Sequence, residues 1–486
     1  MLKNDGGLKT LEAFMGNDIQ ETSVPFDIDR KLTPEEIAET AKYCTHDVEQ
    51  SIEVFLNRKE EFDAMIGLIK IFKRPLSDMS KTKAQLVAAI CGGKYKEFDD
   101  DFQFEIAPTL RLSKYRHVAK WYQNPVNHDY KKTQIEMVAG IPHTFAWGGI
   151  HGATGEIVIN KKGKKLIKSK PFYGEGVFIM ADVTAYYPSM QLRYKWGYRN
   201  MSVPENFEHI HNENLRLKKI DKKARLPYKI ADNSISGQLK DKNSAIRDPR
   251  DNNAICVNGQ LLLLDLIEKL EPHIEMLVQS NTDGILFKIA DTDEAFNKVD
   301  DIVWEWEQRT GMRMGFDIFT KVFQKDVNNY LLVAEDGSYK SKGAYVKQLG
   351  PLDYDLPIVN KAMIEYMTKG IPVETTVNEC DDLIMFQKVV KLTGKYNFVL
   401  HDGVRHTNKC YRVFSSKKRN NGTIYKCKDG KNPEKFANTP EKCFIENGNI
   451  NGCKVPSYLD KEYYVELAKK RLQQFGVERS RSESTL

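Results

Sequence analysis

The sequence predicts an α+β fold, in which helices pack around one β-sheet. VFIMADV at 177–183 is an apolar run of strand length that ends in an acid. MLVQS and ILFKI flank the turn Asn281-Thr282-Asp283-Gly284 and predict a hairpin. Strand and hairpin are expected to share one sheet. Helices are predicted at about 34–58, 205–242, 252–270 and 460–475.

Length and composition indicate a globular chain. The 486 residues correspond to roughly three domains. Hydrophobic residues make up 41% and charged residues 29%, which excludes wholesale disorder. No apolar run approaches the ~18 residues that a membrane span needs, and LLLLDLI at 261–267 is broken by Asp265. The net charge of +6 permits an anionic partner without requiring one.

The N-terminus and the cysteines predict a cytoplasmic protein, in the host cytoplasm if the chain is viral. MLKNDGGLKT lacks the apolar segment of a signal peptide. The eight cysteines form no CxxC pair, and the nearest two are ten residues apart. Neither a zinc ribbon nor a disulfide scaffold is expected from this spacing.

The first clear element is the helix at about 34–58. Thr33 and Glu36 form a capping box, and Pro34 occupies the first helical position. Tyr43 and Asp47 are one turn apart and share a face. The other face is predicted to be a buried apolar stripe, formed by Ile37, Ala41, Cys44, Val48, Ile52 and Phe55.

The most basic segment is 405–435. It carries ten Lys and Arg residues against Asp429 and Glu434, so its net charge of +8 exceeds that of the whole chain. Alone, the ordinary interpretation is a solvated loop. The last helix is predicted to begin after Asp460 as N-cap and to end before Gly476.

Two acids at the ends of β elements carry the chemistry. Asp182 ends the predicted strand, where a single carboxylate is most often a helix cap, and Asp283 lies in the hairpin turn, where it is most often a turn residue. If one sheet brought them within ~4 Å, they would repel by ~4 kcal/mol at an effective dielectric of ~20. Paired carboxylates that hold two metal ions are the apparatus of in-line phosphoryl displacement.

A basic helical stretch precedes the hairpin. Residues 213–229 carry seven Lys and Arg residues against Glu213 and Asp221. Lys229 and Asn233 are one turn apart on one helix face. A solvated basic face is the ordinary interpretation; opposite two carboxylates, the same face could bind a metal-bound triphosphate.

Three segments, in order, resemble the polymerase motifs of family B DNA polymerases. DVTAYYPS (182–189) resembles motif A, KIADNSISG (229–237) resembles motif B, and SNTDGI (280–285) resembles motif C. Weaker matches are ICVNGQLLL (255–263), NNYLLVAEDGSYKSKG (328–343), YCTHD (43–47) and FAWGGIHG (145–152), which are similar to the family's Gly-Arg helix, KxY segment, third exonuclease motif and YxGG loop. The bacteriophage type of the family is the nearest in pattern.

The resemblance implies a right-hand polymerase fold, with a palm sheet, fingers and thumb, and a remnant of an RNase H-like exonuclease domain at the N-terminus. The implied domains are the exonuclease remnant (1–70), a connecting region (71–175), the palm (176–200 and 243–345), the fingers (201–242), and the thumb with the C-terminal region (346–486).

The resemblance also implies site residues. Asp182 and Asp283 would be catalytic and would bind two Mg²⁺ ions with the Val183 carbonyl. Tyr187 would stack under the incoming sugar and select deoxyribonucleotides. The residues implied to contact the incoming nucleotide are Arg216, Lys219, Lys229 and Asn233, and those implied to contact primer–template DNA are Tyr330 and Lys342.

The sequence departs from the family pattern at several positions. Asn281 replaces the first Asp of motif C, Ser236 replaces the tyrosine of motif B, and Asn328 replaces the lysine of KxY. Tyr43 and Asp47 would be the remnant of the exonuclease site, because too few residues precede them for the first two exonuclease motifs. No proofreading is expected from this chain alone. The short gaps between the motifs also argue against protein priming.

The predicted function is therefore template-directed DNA polymerisation in DNA replication. The expected partners are primer–template DNA and dNTPs, with a separate exonuclease polypeptide or other replication proteins as further candidates, and no membrane. The alternative is a degenerate polymerase that acts only as a DNA-binding replication accessory. A reverse transcriptase is a third class, although it normally has paired Asp residues in its hairpin.

Overall fold

The computed structural model describes residues 6–477. The first five residues, on which the predicted absence of a signal peptide partly rests, lie outside the described residues, as do 478–486. The helices are α1 (Leu8–Phe14), α2 (Pro34–Leu56), α3 (Lys59–Ile71), α4 (Lys83–Ile90), α5 (Arg116–Gln123), α6 (Tyr186–Tyr194), α7 (Pro204–Leu217), α8 (Lys222–Gln238), α9 (Pro249–Leu270), α10 (Asp293–Thr310), α11 (Pro357–Lys369), α12 (Val373–Glu379) and α13 (Lys461–Gln473).

The strands complete a mixed α and β architecture. They are β1 (Gln134–Val138), β2 (Ile141–Phe145), β3 (His151–Ala153), β4 (Gly155–Ile159), β5 (Lys165–Ser169), β6 (Phe172–Val183), β7 (Met276–Asn281), β8 (Gly284–Ile289), β9 (Met314–Asp326), β10 (Asn329–Val333), β11 (Tyr339–Lys342), β12 (Lys388–Lys391), β13 (Phe398–His401), β14 (Val404–His406), β15 (Cys410–Ser415), β16 (Tyr425–Cys427), β17 (Glu434–Lys435) and β18 (Cys443–Ile445).

The chain divides into two compact units. Among the described residues, the first contains 60–340, and the second joins 6–59 to 341–477. The second unit therefore contains most of the segment predicted as an exonuclease remnant together with the segment predicted as thumb. The functional subdomains implied by the resemblance stay predictions.

A nine-stranded sheet organises the first unit. Its strand order is β1-β2-β3-β7-β8-β6-β9-β10-β11, and it is antiparallel from β1 to β10. Because side chains alternate along a strand, β6 supplies two cores. Ile179 and Ala181 point into the core shared with α9 and α10, whereas Phe178 and Met180 point into the core shared with β9 and β10. Burial on both faces explains why this strand is an uninterrupted apolar run.

Helices α6 to α9 fill the chain between β6 and the hairpin β7–β8. Helix α9 is buried over nearly its whole length, so its Leu-rich face is part of the main core. Helices α7 and α8 pack on each other and share a smaller core with α3 and α4, which includes Ile210, Ala231 and Ile235. The basic stretch predicted at about 205–242 is therefore a helical pair with its own apolar support.

The predicted helix at 34–58 is confirmed, but its predicted burial is wrong. Thr33 and Glu36 form the expected capping box. The apolar stripe is exposed instead, with Val48 at 60% and Ile52 at 54%. The opposite, polar face of α2 is the one that docks on the segment around α1, because its acids and amides find hydrogen-bonding partners there; one example is Asn17, which donates to Gln50 and Glu53.

Buried Arg412 ties the two ends of the chain together in the second unit. Its guanidinium donates to the backbone carbonyls of Asn17, Asn447 and Gly448. Two backbone bonds reinforce the junction, from Ile19 N to Asn447 O at 2.8 Å and from Ile450 N to Gly16 O at 2.9 Å. Arg412 is fully buried, so one of the ten cations of segment 405–435 is structural, and the segment forms short strands rather than a loop.

The described part of the chain bears on two further predictions. The eight cysteines are all free thiols, as their spacing suggested. No helix in residues 6–477 has the length and apolar character that crossing a membrane would take.

Candidate active site

The fold brings Asp182 and Asp283 to the same end of neighbouring strands. Asp182 pairs with Gly284 in the ladder between β6 and β8. The next backbone amide, that of Val183, donates to the carbonyl of Asp283 at 2.7 Å. The turn is tight, because Thr282 takes a left-handed φ of 52° and Asp283 N donates to Asn281 O at 2.6 Å. The two acids are therefore adjacent in register, although 100 residues separate them in the sequence.

The carboxylate of Asp182 lies against Gly284. A Cβ at residue 284 would stand only 2.0 Å from Asp182 Oδ1. Any residue larger than glycine would displace this carboxylate, which is a side-chain reason for the Asp-Gly pair besides its preference for tight turns.

Lys340 on β11 supplies a cation to this carboxylate. Its Nζ lies 2.5 Å from Asp182 Oδ2 and 3.3 Å from an oxygen of Asp317 on β9. Burial disfavours the ammonium, but the hydrogen bond to Asp182 and the charges of both acids outweigh it and hold the pKa of Lys340 above its ordinary value. The Asp182 carboxylate thus already accepts a hydrogen bond from a positively charged group.

Tyr330 lies in the same neighbourhood. It is buried on β10, and burial is the main reason that its pKa is raised, with further contributions from the charges of Asp182 and Asp283. Lys340 acts in the opposite direction on this pKa. The predicted primer–template residue and the two predicted catalytic acids are therefore brought together.

Tyr187 packs against α9 beside the hairpin turn. A Cβ at Gly259 would lie 3.2 Å from Tyr187 Cε1, so the glycine leaves room for the ring. Burial raises the pKa of Tyr187 well above its ordinary range, and the charge of Asp283 adds to the effect. The predicted sugar-contacting ring is thus held rigidly close to one of the acids.

Lys229 and Asn233 are exposed and one turn apart on α8, as predicted. Buried Ala231 and Ile235 anchor the opposite side of the helix. No direct contact joins Lys229 or Asn233 to the two acids among the described residues, so their contact with a nucleotide stays a prediction. Lys240, just past the end of α8, was not predicted from the sequence.

Lys240 is exposed just past the end of α8, and its charge acts on the thiol of Cys256. Burial raises the pKa of the Cys256 thiol to about 11, and the charge of Lys240 lowers it, which places that charge close to the thiol. Cys256 in turn is hydrogen-bonded to Tyr187. The sequence did contain a signal for Lys240, because positions 229, 233, 236 and 240 follow the spacing of one helix face.

The remaining nucleotide candidates lie at the end of α7. Arg216 is exposed and already forms a bidentate pair with Glu213, at 2.8 and 2.7 Å. Lys219 is exposed just beyond the helix. No contact among the described residues joins either to Lys229 or to the acids. Lys342 is exposed at the end of β11, in the second unit.

The Gly-rich loop of segment 145–152 supports the hairpin turn. Thr282 N donates to Ile150 O at 2.9 Å, and a Cβ at Gly149 would lie 2.7 Å from Thr282 Oγ1. The close backbone approach that the glycines predicted is therefore made to the turn that carries Asp283. Asn281 donates to the carbonyl of Val327 at 3.1 Å, so the residue that replaces the first motif C acid has a structural contact.

A buried histidine on β2 supports β7 across the intervening strand β3. His143 Nε2 lies 2.6 Å from Ser280 Oγ, and Nδ1 lies 3.1 Å from Ile141 O. Burial lowers the pKa of His143 to about 4, so the ring is neutral, with Nδ1 donating to the carbonyl and Nε2 accepting from the hydroxyl. Gly152 leaves the space for this ring, since a Cβ there would lie 2.4 Å from it.

The predicted exonuclease residues lie in the second unit, on α2. Lys9 Nζ donates to Asp47 at 2.6 Å and to Glu12 at 2.9 Å, and it stands 4.7 Å from the centre of the Tyr43 ring. His46 Nε2 lies 3.5 Å from Glu12. The carboxylate of Asp47 is therefore satisfied by a lysine of the same unit.

Sequence reasoning missed Lys340 and Asp317. Lys340 is two residues before the predicted Lys342 in a strand, so the two share a face, and only the fold could tell which one reaches Asp182. Asp317 had no signal, because it lies in a strand whose residues show little alternation between buried and exposed positions.

The donor set fits Mg²⁺ better than a metal held by protein alone. No group of three or more His, Cys, Asp or Glu side chains able to hold a metal occurs in residues 6–477. Mg²⁺ is commonly bound by one or two carboxylates together with substrate phosphates and water. Two acids adjacent in backbone register, one of them already paired with an ammonium, match that pattern.

Comparison with known proteins found a similarity of structure and no match by sequence. No protein-family model matches the sequence, and no curated protein matches it. Among solved structures, the chain is similar to the family B DNA polymerase from the hyperthermophilic archaeon Pyrobaculum calidifontis, with a TM-score of 0.47 and 12% identity over 93% of this chain. The chain spans 58% of that polymerase. The likeness is one of backbone arrangement.

Proposed function

We propose that this protein is a DNA polymerase of the family B type that extends a primer with dNTPs on a DNA template. The observation that carries the proposal is the meeting of Asp182 and Asp283 at one end of the sheet, joined by the hydrogen bond from Val183 N to Asp283 O at 2.7 Å. Two carboxylates in adjacent register are what nucleotidyl transfer with two metal ions requires.

Each residue near the acids has a proposed part. Asp182, Asp283 and the Val183 carbonyl would hold two Mg²⁺ ions. Those ions, when bound, would activate the primer 3′-hydroxyl and stabilise the charge of the leaving pyrophosphate. Tyr187, fixed against α9, would present its ring to the sugar of the incoming nucleotide and exclude a 2′-hydroxyl. Tyr330 would align the primer end.

The fingers and the basic segment would bind the charged parts of the substrates. Lys229 and Asn233 would contact the incoming nucleotide, and Lys240 would add a cation on the same side of α8. Arg216 would have to leave Glu213 before it could bind a triphosphate, which makes it the weakest of these assignments. Lys342 and the exposed cations of segment 405–435 would contact DNA phosphates, so binding should weaken steeply with salt.

We further propose that the chain does not proofread. Support comes from the contacts of Asp47, whose carboxylate shares the ammonium of Lys9 with Glu12 and belongs to no group of three or more metal-ligating side chains among residues 6–477. A complete 3′-exonuclease site would have to come from a separate polypeptide.

The test is primer extension with dNTPs and Mg²⁺. Asp182→Asn and Asp283→Asn should each reduce extension to background, because each removes a charge that holds metal without changing side-chain size. Asp301→Asn, an exposed acid on α10, is the matched control and should extend like the wild type. Full extension by either of the first two variants would overturn the proposal.

The same assay separates the alternative. If the protein is a degenerate polymerase that only binds DNA, it should bind primer–template but not extend the primer at any Mg²⁺ concentration. Tyr187→Val gives an independent readout, since a polymerase that loses this ring should accept ribonucleotides more readily.

A further inference from the structure

The hairpin formed by β4 and β5 carries a dense cluster of lysines. Six of the ten residues from 161 to 170 are lysines, and all six are exposed. The only acid in the hairpin is Glu156, which pairs with Lys170 at 2.8 Å and Lys168 at 3.9 Å. The four lysines of the tip, Lys161, Lys162, Lys164 and Lys165, have no carboxylate within 4.0 Å among residues 6–477. Their charges are therefore uncompensated.

The tip is ordered rather than loose. Asn160 Oδ1 accepts from the backbone amides of Lys162 at 2.9 Å and Lys164 at 3.0 Å, and Gly163 takes a left-handed φ of 73°. The ladder holds five residue pairs, from Gly155 with Ser169 to Ile159 with Lys165. A stable turn thus holds four like charges close together, which costs electrostatic free energy unless an anion lies beside them.

The base of the hairpin is joined to the candidate active site. Thr154 O accepts from Lys170 N at 2.9 Å, and Thr154 Oγ1 accepts from Gln324 Nε2 at 3.2 Å. Gln324 is the ladder partner of Tyr330 on β10 and of Phe172 on β6, the strand that carries Asp182. Strands of five residues extend about 17 Å, so the lysines stand roughly that far beyond the base.

A shallow groove runs beside the tip. It has a volume of about 250 Å³ and is lined by Lys164 and Lys165, by residues 133–136, and by partly exposed Trp121. Glu136 in this groove has His117 3.8 Å away. An aromatic ring next to lysines is the combination that binds single-stranded nucleic acid, with the base stacking and the phosphate paired.

We propose that the β4–β5 hairpin binds the unpaired template strand, with its tip lysines on the phosphates and Trp121 available to a base. The inference rests on the proposed polymerase function and adds a strand-specific site to it. A blunt duplex has no unpaired strand, so it offers neither single-strand phosphates to the tip lysines nor a free base to the groove.

The experiment measures binding of two labelled DNAs by fluorescence anisotropy between 50 and 200 mM NaCl: a primer–template with a long 5′ template overhang and a blunt duplex of the same paired length. The test variant is Lys161→Ser/Lys162→Ser/Lys164→Ser. On the overhang DNA, the slope of log affinity against log salt should become shallower by about 2, since each phosphate contact on a single strand contributes about 0.7. Binding of the blunt duplex should be unchanged.

Two controls accompany the test variant. The corresponding Lys→Arg triple variant keeps the charges and should retain the wild-type slope. Lys298→Ser removes an exposed charge from α10, which does not line the groove, and should also retain the wild-type slope. An unchanged slope for the serine variant, or an equal loss on the blunt duplex, would overturn the inference.

Extension by the wild-type chain is measured separately and decides the proposed function on its own. If the wild type extends primers and the hairpin variants bind DNA as it does, the proposed polymerase function is retained and the proposed hairpin site is rejected. A wild type that binds neither DNA would overturn both.

Discussion

Replacing Lys340 with methionine should increase the apparent affinity of the two acids for Mg²⁺. The ammonium of Lys340 lies 2.5 Å from Asp182 Oδ2, on an oxygen that a metal ion would need. Metal binding must therefore displace this contact, and methionine keeps the length of the side chain while removing the competing charge.

The size of the effect follows from the geometry and the exposure. Unit charges about 3 Å apart attract by roughly 1.4 to 5.5 kcal/mol at effective dielectrics of about 80 to 20. The side chains of Lys340 and Asp182 are 36% and 37% exposed, so solvent screens the pair, and ~0.5–1 kcal/mol is the appropriate range. The apparent dissociation constant for Mg²⁺ should then fall about two- to fivefold.

The assay is a Mg²⁺ titration of the melting temperature, which needs no catalysis, because an ion that binds only the folded state stabilises it by mass action. Lys321→Met is the control, since it removes another lysine–carboxylate pair of the same sheet, with Glu175 at 3.4 Å. If the Mg²⁺ concentration at the midpoint of the titration were equal or higher for Lys340→Met than for the wild type, the reasoning would be refuted, because the lysine would then not compete with the metal ion.

Three further predictions use single substitutions. Gly284→Ala should impair Mg²⁺ binding and primer extension far more than stability, because its Cβ would collide with the Asp182 carboxylate. Gly315→Ala is the control and should leave both activities intact, because its Cβ would lie 3.9 Å from the Asp182 carbonyl. Equal activities of the two variants would contradict the collision. The pKa of His143 is lowered to about 4, so below about pH 6.5 the unfolded chain binds a proton that the folded chain excludes, and the stability that this residue contributes declines from pH 6.5 towards pH 4. In urea unfolding, the free energy of unfolding of His143→Gln should therefore fall by ~2 kcal/mol less than that of the wild type between pH 7 and pH 5. Equal losses in the two proteins would argue against a neutral buried ring. Arg412→Leu should destabilise the second unit by ~2–4 kcal/mol, because it removes the donor of three buried carbonyls, and should expose the N-terminal segment to limited proteolysis; wild-type resistance would show that the guanidinium is dispensable.

Local patterns in the sequence predicted the elements that carry the acids. The apolar run before Asp182 and the Asp-Gly turn correspond to β6 and to the hairpin β7–β8, and the capping box of Thr33 begins α2 where expected. Each of these signals is made by neighbouring residues, so it survives without knowledge of the fold. The mixed α and β architecture followed from the same elements.

What the sequence could not supply is which surfaces meet. The apolar stripe of α2 satisfies every rule for a buried face, yet polar partners such as Asn17 decided which side of the helix docks. Lys340 is 158 residues from Asp182, and no periodicity links them. The resemblance to polymerase motifs indicated residue roles, but the ammonium at Asp182 and the lysine-rich hairpin lie outside those motifs.

The junction at Arg412 has a consequence for how the protein is made. Residues 6–59 are synthesised before the first unit, but their partners around Asn447 and Ile450 are synthesised after it. At about 5–20 residues per second, the ribosome takes roughly 20 to 90 s to cover the stretch between them. The first unit, residues 60–340, is made and can fold during that interval. The N-terminal segment must wait until the residues around Asn447 and Ile450 have been made, so premature termination after residue 340 would leave it without the surface that completes its fold.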